Sequence, residues 1–232
     1  MDLHEFQAKA ILARHGVPVP PGQVAWTADE AARIASELGV SRFVVKAQIL
    51  AGGRGEAGGV KLTHSAEGVR ACAAGLLGTR LVTAQTSGAG RAVRRVYVEQ
   101  ALECDRELYL GILLDRSDGR IVLLGAGEGG EEVEERMRNA PESFVRLDLK
   151  GTLEPDAQDL SGFANALGLE GALAEQAVRI SRALARAFVE LDASLIEINP
   201  LCVTRDGRLL ALDVKMTVDD NALFRQHELQ VL

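Results

Sequence analysis

The sequence predicts an α+β fold, because helices and antiparallel strands are mixed along the chain without strict alternation. Three observations carry that expectation. Residues 171–190 place Leu173, Ala177, Ile180, Leu184 and Phe188 on one helical face. The runs "RELYLGILLD" and "GRIVLLGA" flank "RSDGR", a hairpin signal. A second pair, "SLIEINPLCVT" and "RLLALDVK", flanks "RDG".

The other elements follow in order. Residues 2–15 read as a helix, with Asp2 as cap and Glu5 at the capping-box spacing. Leu3, Phe6, Ala10 and Leu12 supply its apolar stripe, and Gly16 ends it. "VPVPPG" reads as an extended linker. A second helix starts at Thr27, with Glu30 completing a capping box, and runs to Leu38. Strand 43–49, a glycine-rich loop and strand 59–63 come next. Gly68 and Gly75 weaken a helix over 65–77. "RRVYVEQA" alternates as a strand, and the charge run "EEVEERMR" at 131–138 reads as a solvated helix.

Bulk properties narrow the function. The 232 residues suffice for one large domain or two small ones. A net charge of −7 argues against general nucleic-acid binding. No apolar run approaches the ~18 residues of a membrane span. The opening "MDLHEFQAKAILARHG" has neither the basic nor the apolar region of a signal peptide. Cys72, Cys104 and Cys202 show no zinc or redox spacing. They read as buried thiols in a reducing compartment, the cytoplasm or an organelle matrix.

Two stretches carry chemistry. In the last hairpin, a three-residue loop Arg205-Asp206-Gly207 pairs Thr204 with Arg208. Counting back, Asn199 falls opposite Asp213 and Glu197 opposite Lys215, all on one face. A Glu197–Lys215 pair is a structural explanation that leaves Asn199 and Asp213 unexplained. An amide and a carboxylate oxygen suit Mg²⁺, which takes one or two protein ligands and lets phosphate and water supply the rest. Spacing alone leaves these two readings level. The second stretch, "FVVKAQILAGGRGEAGGVKL", is a strand–loop–strand flap. It lacks the Ser or Thr and the following helix of a Walker A loop. Its backbone N–H groups can line an anion, Lys46 supplies a point charge, and Arg54 at the loop tip can fork onto phosphate. A plain mobile loop is the alternative. A cationic loop with Mg²⁺ ligands elsewhere is what phosphoryl transfer needs.

These residues resemble a known family. "LHEFQAKAILARHGVPVPPG", "VVKAQILAGGRGEAGGVKL", "GTRLVTAQT", "ELYLGILLDR", "LIEINPLCVT" and "DDNALFR" occur in the order seen in succinyl-CoA synthetase β subunits. The resemblance covers essentially the whole chain. It implies the ATP-grasp fold, two α+β subdomains with the nucleotide between them. The smaller, flap-bearing subdomain is expected at about 21–102, the larger at 1–20 plus 103–232. It also implies residue roles. Lys46 and the Gly53-Arg54-Gly55 backbone match phosphate contacts. Glu99 matches the acceptor for the adenine amino group, Leu102 a backbone contact to the base, and Glu107 the acceptor for ribose hydroxyls. Asn199 and Asp213 match Mg²⁺ ligands. Glu197 matches the residue that steadies a phosphohistidine from the partner α subunit, and with Arg54 completes the expected catalytic set. Pro20 leans towards ATP over GTP.

The implied reaction is ATP-driven, ADP-forming ligation of a dicarboxylic acid, succinate, to CoA. None of His4, His15, His64 or His227 matches a catalytic position. The chain departs from the family in three ways. The sequence stops at Leu232, before the family's C-terminal CoA-ligase domain, so an excised ATP-grasp domain, rather than a natural half-protein, is expected, one that binds nucleotide without completing the ligation. Leu50 stands where histidine is usual, and Glu56 where lysine is. "LDVKMTVDDNALFR" shares residues with malate–CoA ligases, which makes malate the alternative acid. A carboxylate–amine ligase and a non-catalytic nucleotide-binding or assembly module are the rivals from other classes.

Overall fold

A computed structural model describes residues 1–130, 132–149 and 155–230. The chain divides into two compact units: Met1–Val19 with Glu103–Leu232, and Pro20–Leu102. The first element, helix α1 (Glu5–Arg14), belongs to the larger unit. It starts later than the sequence suggests. His4 precedes it, with its N–H donating to Gln7 Oε1 at 2.9 Å. Asp2 instead bridges to Thr217. Glu5 turns inward and pairs with Lys9 at 3.0 Å, a spacing of one helical turn.

The smaller unit is a four-stranded antiparallel sheet with two helices. In chain order it holds β1 (Gly22–Ala25), α2 (Ala28–Leu38), β2 (Phe43–Ala47), β3 (Val60–Thr63) and α3 (Ala66–Leu76). A short hairpin of β4 (Arg80–Leu81) and β5 (Arg91–Ala92) precedes β6 (Val96–Gln100). The sheet order is β1-β6-β2-β3. Thr27 caps α2 by accepting from Glu30 N–H, as the capping-box spacing requires. Phe43, Val45 and Ala47 alternate onto one face with Val96 and Val98, and Ile34, Val69 and Ala73 of the helices close that core. Each fully buried valine or isoleucine there contributes about 1.5–3 kcal/mol. The alternate residues Lys46, Tyr97 and Glu99 therefore share the other face.

The larger unit continues with β7 (Cys104–Asp115), β8 (Arg120–Ala126), α4 (Val133–Asn139), β9 (Val145–Asp148), α5 (Ala157–Ala166) and α6 (Gly171–Glu190). It ends with β10 (Ala193–Thr204), β11 (Leu209–Ala211), β12 (Val214–Val218), a 3₁₀ turn at Asp220–Arg225 and α7 (His227–Gln230). The antiparallel order is β11-β10-β7-β8-β9, with β12 also alongside β10. Helices α1, α5 and α6 cover one face of the sheet through Ile11, Leu12, Phe163, Ile180 and Leu184. Helix α4 covers part of the other, where Val133 packs with Tyr109 and Ala126. It is thus not the wholly solvated helix that its charges suggest; Glu131 of that run lies outside the described residues.

The cysteines correct a sequence expectation. Cys104 and Cys202 form a disulfide, and only Cys72 is free. They lie 98 residues apart in sequence but on adjacent strands, with Cα atoms 5.4 Å apart. Sequence spacing does not report such a cross-strand approach. The chain therefore does not carry the three free thiols that pointed to a reducing compartment. Among the described residues, no helix is long and apolar enough to cross a membrane.

Candidate functional site

The final hairpin has the register counted from its turn. Thr204 N–H donates to Arg208 O at 2.9 Å, Leu201 pairs with Ala211, and Glu197 pairs with Lys215. Asn199 N–H donates to Asp213 O at 3.1 Å. Ile196, Ile198, Val214 and Met216 enter the core, so Glu197, Asn199, Asp213 and Lys215 take the opposite face. The second strand is not continuous as the sequence suggests. It breaks at Leu212–Asp213, between β11 and β12. Buried Lys9 sits at that break, donating to Leu212 O at 2.6 Å, while Leu212 N–H donates to Pro200 O at 3.1 Å. A cation from α1 thus fixes the backbone just before Asp213.

β7 adds Glu107, Tyr109 and Gly111 to this face, because Leu108, Leu110 and Ile112 point into the core. Gly111 pairs with Glu197. A Cβ on Gly111 would stand 2.8 Å from the Tyr109 hydroxyl, so its absence lets the phenol lie over the strand beside Glu197. The turn after β8 also reaches this face. Gly130 N–H donates to Asn199 Oδ1 at 2.7 Å, and Asn199 Nδ2 donates to Gly130 O at 3.0 Å. Only an oxygen can meet the Gly130 N–H, which orients the amide. Glu107 O accepts from Gly129 N–H at 2.6 Å, and the Glu107 carboxyl is exposed.

The face is electrostatically acidic. Burial raises the Glu197 pKa above the usual carboxylate value, Lys215 partly offsets this, and the charges of Glu134 and Asp213 add to the rise. Burial likewise raises the Tyr109 pKa, with Glu197 and Glu134 contributing. No ion pair joins Glu197 to Lys215 among the described residues, so the expected structural pair acts only through charge at a distance. Glu134 was not a residue that sequence reasoning singled out. Helix α4 brings it here, and nothing in its local spacing signalled that.

In the smaller unit, Lys46 Nζ lies 2.5 Å from Glu99 Oε1, and the side chains retain only 8% and 2% of their exposure. The glycine loop is ordered by its own side chains. Arg54, expected at the tip, is buried and donates to Ala47 O at 3.0 Å. Gly59 N–H returns to Arg54 O at 2.7 Å, and Gly52 N–H donates to Gln85 Oε1 at 2.8 Å. An arginine in a mostly glycine loop is the longest side chain able to fill the loop's interior, and the Ala47 carbonyl takes one of its five N–H donors there. Gly53, Gly55 and Glu56 remain exposed, as does Leu50. Pro20 and Leu102 are the first and last residues of this unit.

The structure therefore brings Lys46 to Glu99, with Arg54 bonded to the residue after Lys46. Separately, it brings together Asn199, Asp213 and Glu197, with Glu107 on the same sheet face. Among the described residues no cluster of three His, Cys, Asp or Glu side chains forms a metal cage. The Asn199 and Asp213 oxygens still fit Mg²⁺, which needs few protein ligands. Asn199 Oδ1 keeps a second lone pair beyond its bond to Gly130. The surplus of acids favours a cation.

This fold is that of the ATP-grasp family, to which the chain belongs: residues 2–203 match the ATP-grasp domain profile. It is 45% identical over 229 residues to the succinate–CoA ligase [ADP-forming] subunit beta of Bacillus licheniformis. That match covers 99% of this chain and 59% of the relative. The same subunit of Geobacter sulfurreducens is 47% identical over 228 residues, covering 98% and 59%. The chain thus spans about 59% of the length of these curated relatives. Among solved structures, the dinucleotide forming acetyl-coenzyme A synthetase 1 of Ca. Korarchaeum cryptofilum superposes with a TM-score of 0.68 at 17% identity. It covers 94% of this chain and 93% of that one, a likeness of fold.

Proposed function

We propose that this chain is the nucleotide-binding part of an ADP-forming acid–CoA ligase β subunit, with succinate as the acid. The observation that carries the reading is the paired Asn199 and Asp213 on an acidic sheet face. In this reading Asn199 and Asp213 would hold Mg²⁺, which would supply positive charge against the nucleotide's phosphates. Lys46 and the exposed Gly53 and Gly55 backbone meet the phosphates, with Arg54 shaping the loop from within. Glu99 accepts from the adenine amino group and Glu107 from ribose hydroxyls. Leu102 offers its backbone to the base, and Pro20 suits ATP over GTP.

The γ-phosphoryl group passes to a histidine nitrogen of a partner α subunit as ADP leaves. The phosphorylated imidazole is steadied by Glu197, whose carboxyl accepts from the ring N–H. The phosphoryl group then moves to the dicarboxylic acid, and the CoA thiol displaces phosphate to form the thioester. This chain's share ends with the phosphohistidine. Titration calorimetry with Mg·ATP and Mg·GTP tests the reading. ATP is expected to bind more tightly, and addition of an α subunit to yield a phosphohistidine. Equal silence towards both nucleotides would favour an assembly module instead.

A further inference from the structure

Lys46 and Glu99 are assigned above to opposite ends of one nucleotide, yet the fold makes them a single group. Their charged atoms lie 2.5 Å apart with almost no exposure. Lys46 pairs with Tyr97 and Val44 with Glu99, so the acid is the diagonal neighbour of the lysine on one sheet face. Glu99 is also fixed from its other side. Gly22 on β1 pairs with it. A Cβ there would stand 2.6 Å from Glu99 Cβ and 2.8 Å from the Tyr97 ring. A strand with no side chain at this point lets Glu99 and Tyr97 settle against it. Three strands thus determine where the carboxylate sits, and the carboxylate determines where the ammonium sits.

We propose that Glu99 is a positioning residue for Lys46, holding it in place to meet phosphate whatever base the phosphate carries. The proposal rests on the nucleotide reading above and deepens it. The four-carbon stem of a lysine is free to choose among many rotamers, and contact with the buried Glu99 carboxylate selects one. An ammonium has three donors, so a carboxylate and a phosphate oxygen can share it.

The consequence separates this role from recognition of the base. An acid that only reads adenine matters to ATP and is indifferent to a polyphosphate with no base. An acid that positions Lys46 matters to both. The test measures Mg·tripolyphosphate and Mg·ATP binding by calorimetry in the wild-type chain, Glu99→Gln and Gly22→Ala. In Glu99→Gln both affinities are expected to fall at least tenfold. Gly22→Ala keeps every charge but displaces Glu99, and both affinities are expected to fall by a smaller factor. Tripolyphosphate affinity that is unchanged or higher in folded Glu99→Gln, with only ATP weakened, would overturn the proposal. Should Glu99→Gln not fold, unchanged tripolyphosphate affinity in Gly22→Ala would do the same. A wild-type chain that binds neither ligand would instead defeat the nucleotide reading, and the proposal with it.

Discussion

The two units handle buried charge in opposite ways. In the smaller unit, the buried cation Lys46 is matched by the buried anion Glu99 at contact distance. On the larger unit's sheet face, Glu197 is mostly buried and Lys215 acts on it only from a distance, while Glu134 and Asp213 make the surroundings more negative. In one region the buried lysine has a carboxylate in contact. The other carries a surplus of negative charge that a bound cation would relieve. A matched pair is costly to break and a surplus is costly to keep. Removing a charge should therefore destabilise the first region and stabilise the second.

The largest expected effect is in the smaller unit. Lys46→Met removes the cation in contact with the buried Glu99 carboxylate and should cost up to about 3–5 kcal/mol in urea unfolding. Lys46→Met combined with Glu99→Leu should recover most of that. Equal stability of the single and double variants would break the contrast at its root.

Reduction of Cys104–Cys202 comes next, because it staples only the larger unit. Loss of the bridge should lower stability by about 2–4 kcal/mol. Hydrogen exchange should quicken in β7 and β10 and leave the smaller unit as it was. Non-reducing peptide mapping, with Cys72 alone alkylated, checks the bridge itself.

Glu197→Gln should act with the opposite sign to Lys46→Met. The folded pKa of Glu197 is raised above its ordinary 4.5, so the folded state holds the proton more tightly. Its charge costs no stability below 4.5, and the cost grows as pH rises through the folded value. The variant should be more stable than wild type at neutral pH, and the gain should vanish in acid. Thermal melts across that range check the sign.

The smallest effect belongs to the exposed network of Asp115, Asp118, Asp148, Arg120 and Arg146. Hydrogen bonds from Ser117 and Arg146 hold the Asp115 carboxyl down at about 2, against an ordinary 3.8. Its stabilisation is present above 3.8 and is lost as pH falls towards 2. Arg146→Ala should flatten that acid limb slightly and leave neutral stability nearly unchanged.

What could be read from the sequence was local. The register that sets Asn199 opposite Asp213 follows from one turn and a period of two. The start of α2 follows from Thr27 and Glu30, and the face of α6 from its helical period. What could not be read depends on distances set by the whole fold. Cys104 meets Cys202 across paired strands, and Lys46 meets Glu99 across a sheet. Gly130 reaches Asn199 from a turn that no spacing rule ties to it. Arg54 sits at the loop tip in the sequence, yet packing turns it inward to a backbone carbonyl. The break between β11 and β12 is likewise held from outside, by Lys9 of the first helix.

The central claim is that the acid surplus of the larger unit takes a divalent cation with a nucleotide. Electron paramagnetic resonance of Mn²⁺, a stand-in for Mg²⁺, tests it most directly. The chain is titrated with Mn²⁺ with and without ADP, alongside Asp213→Ala. The account predicts that wild type immobilises Mn²⁺ in the presence of ADP and that Asp213→Ala does not, although it remains folded. Equal Mn²⁺ binding by the two proteins would contradict it.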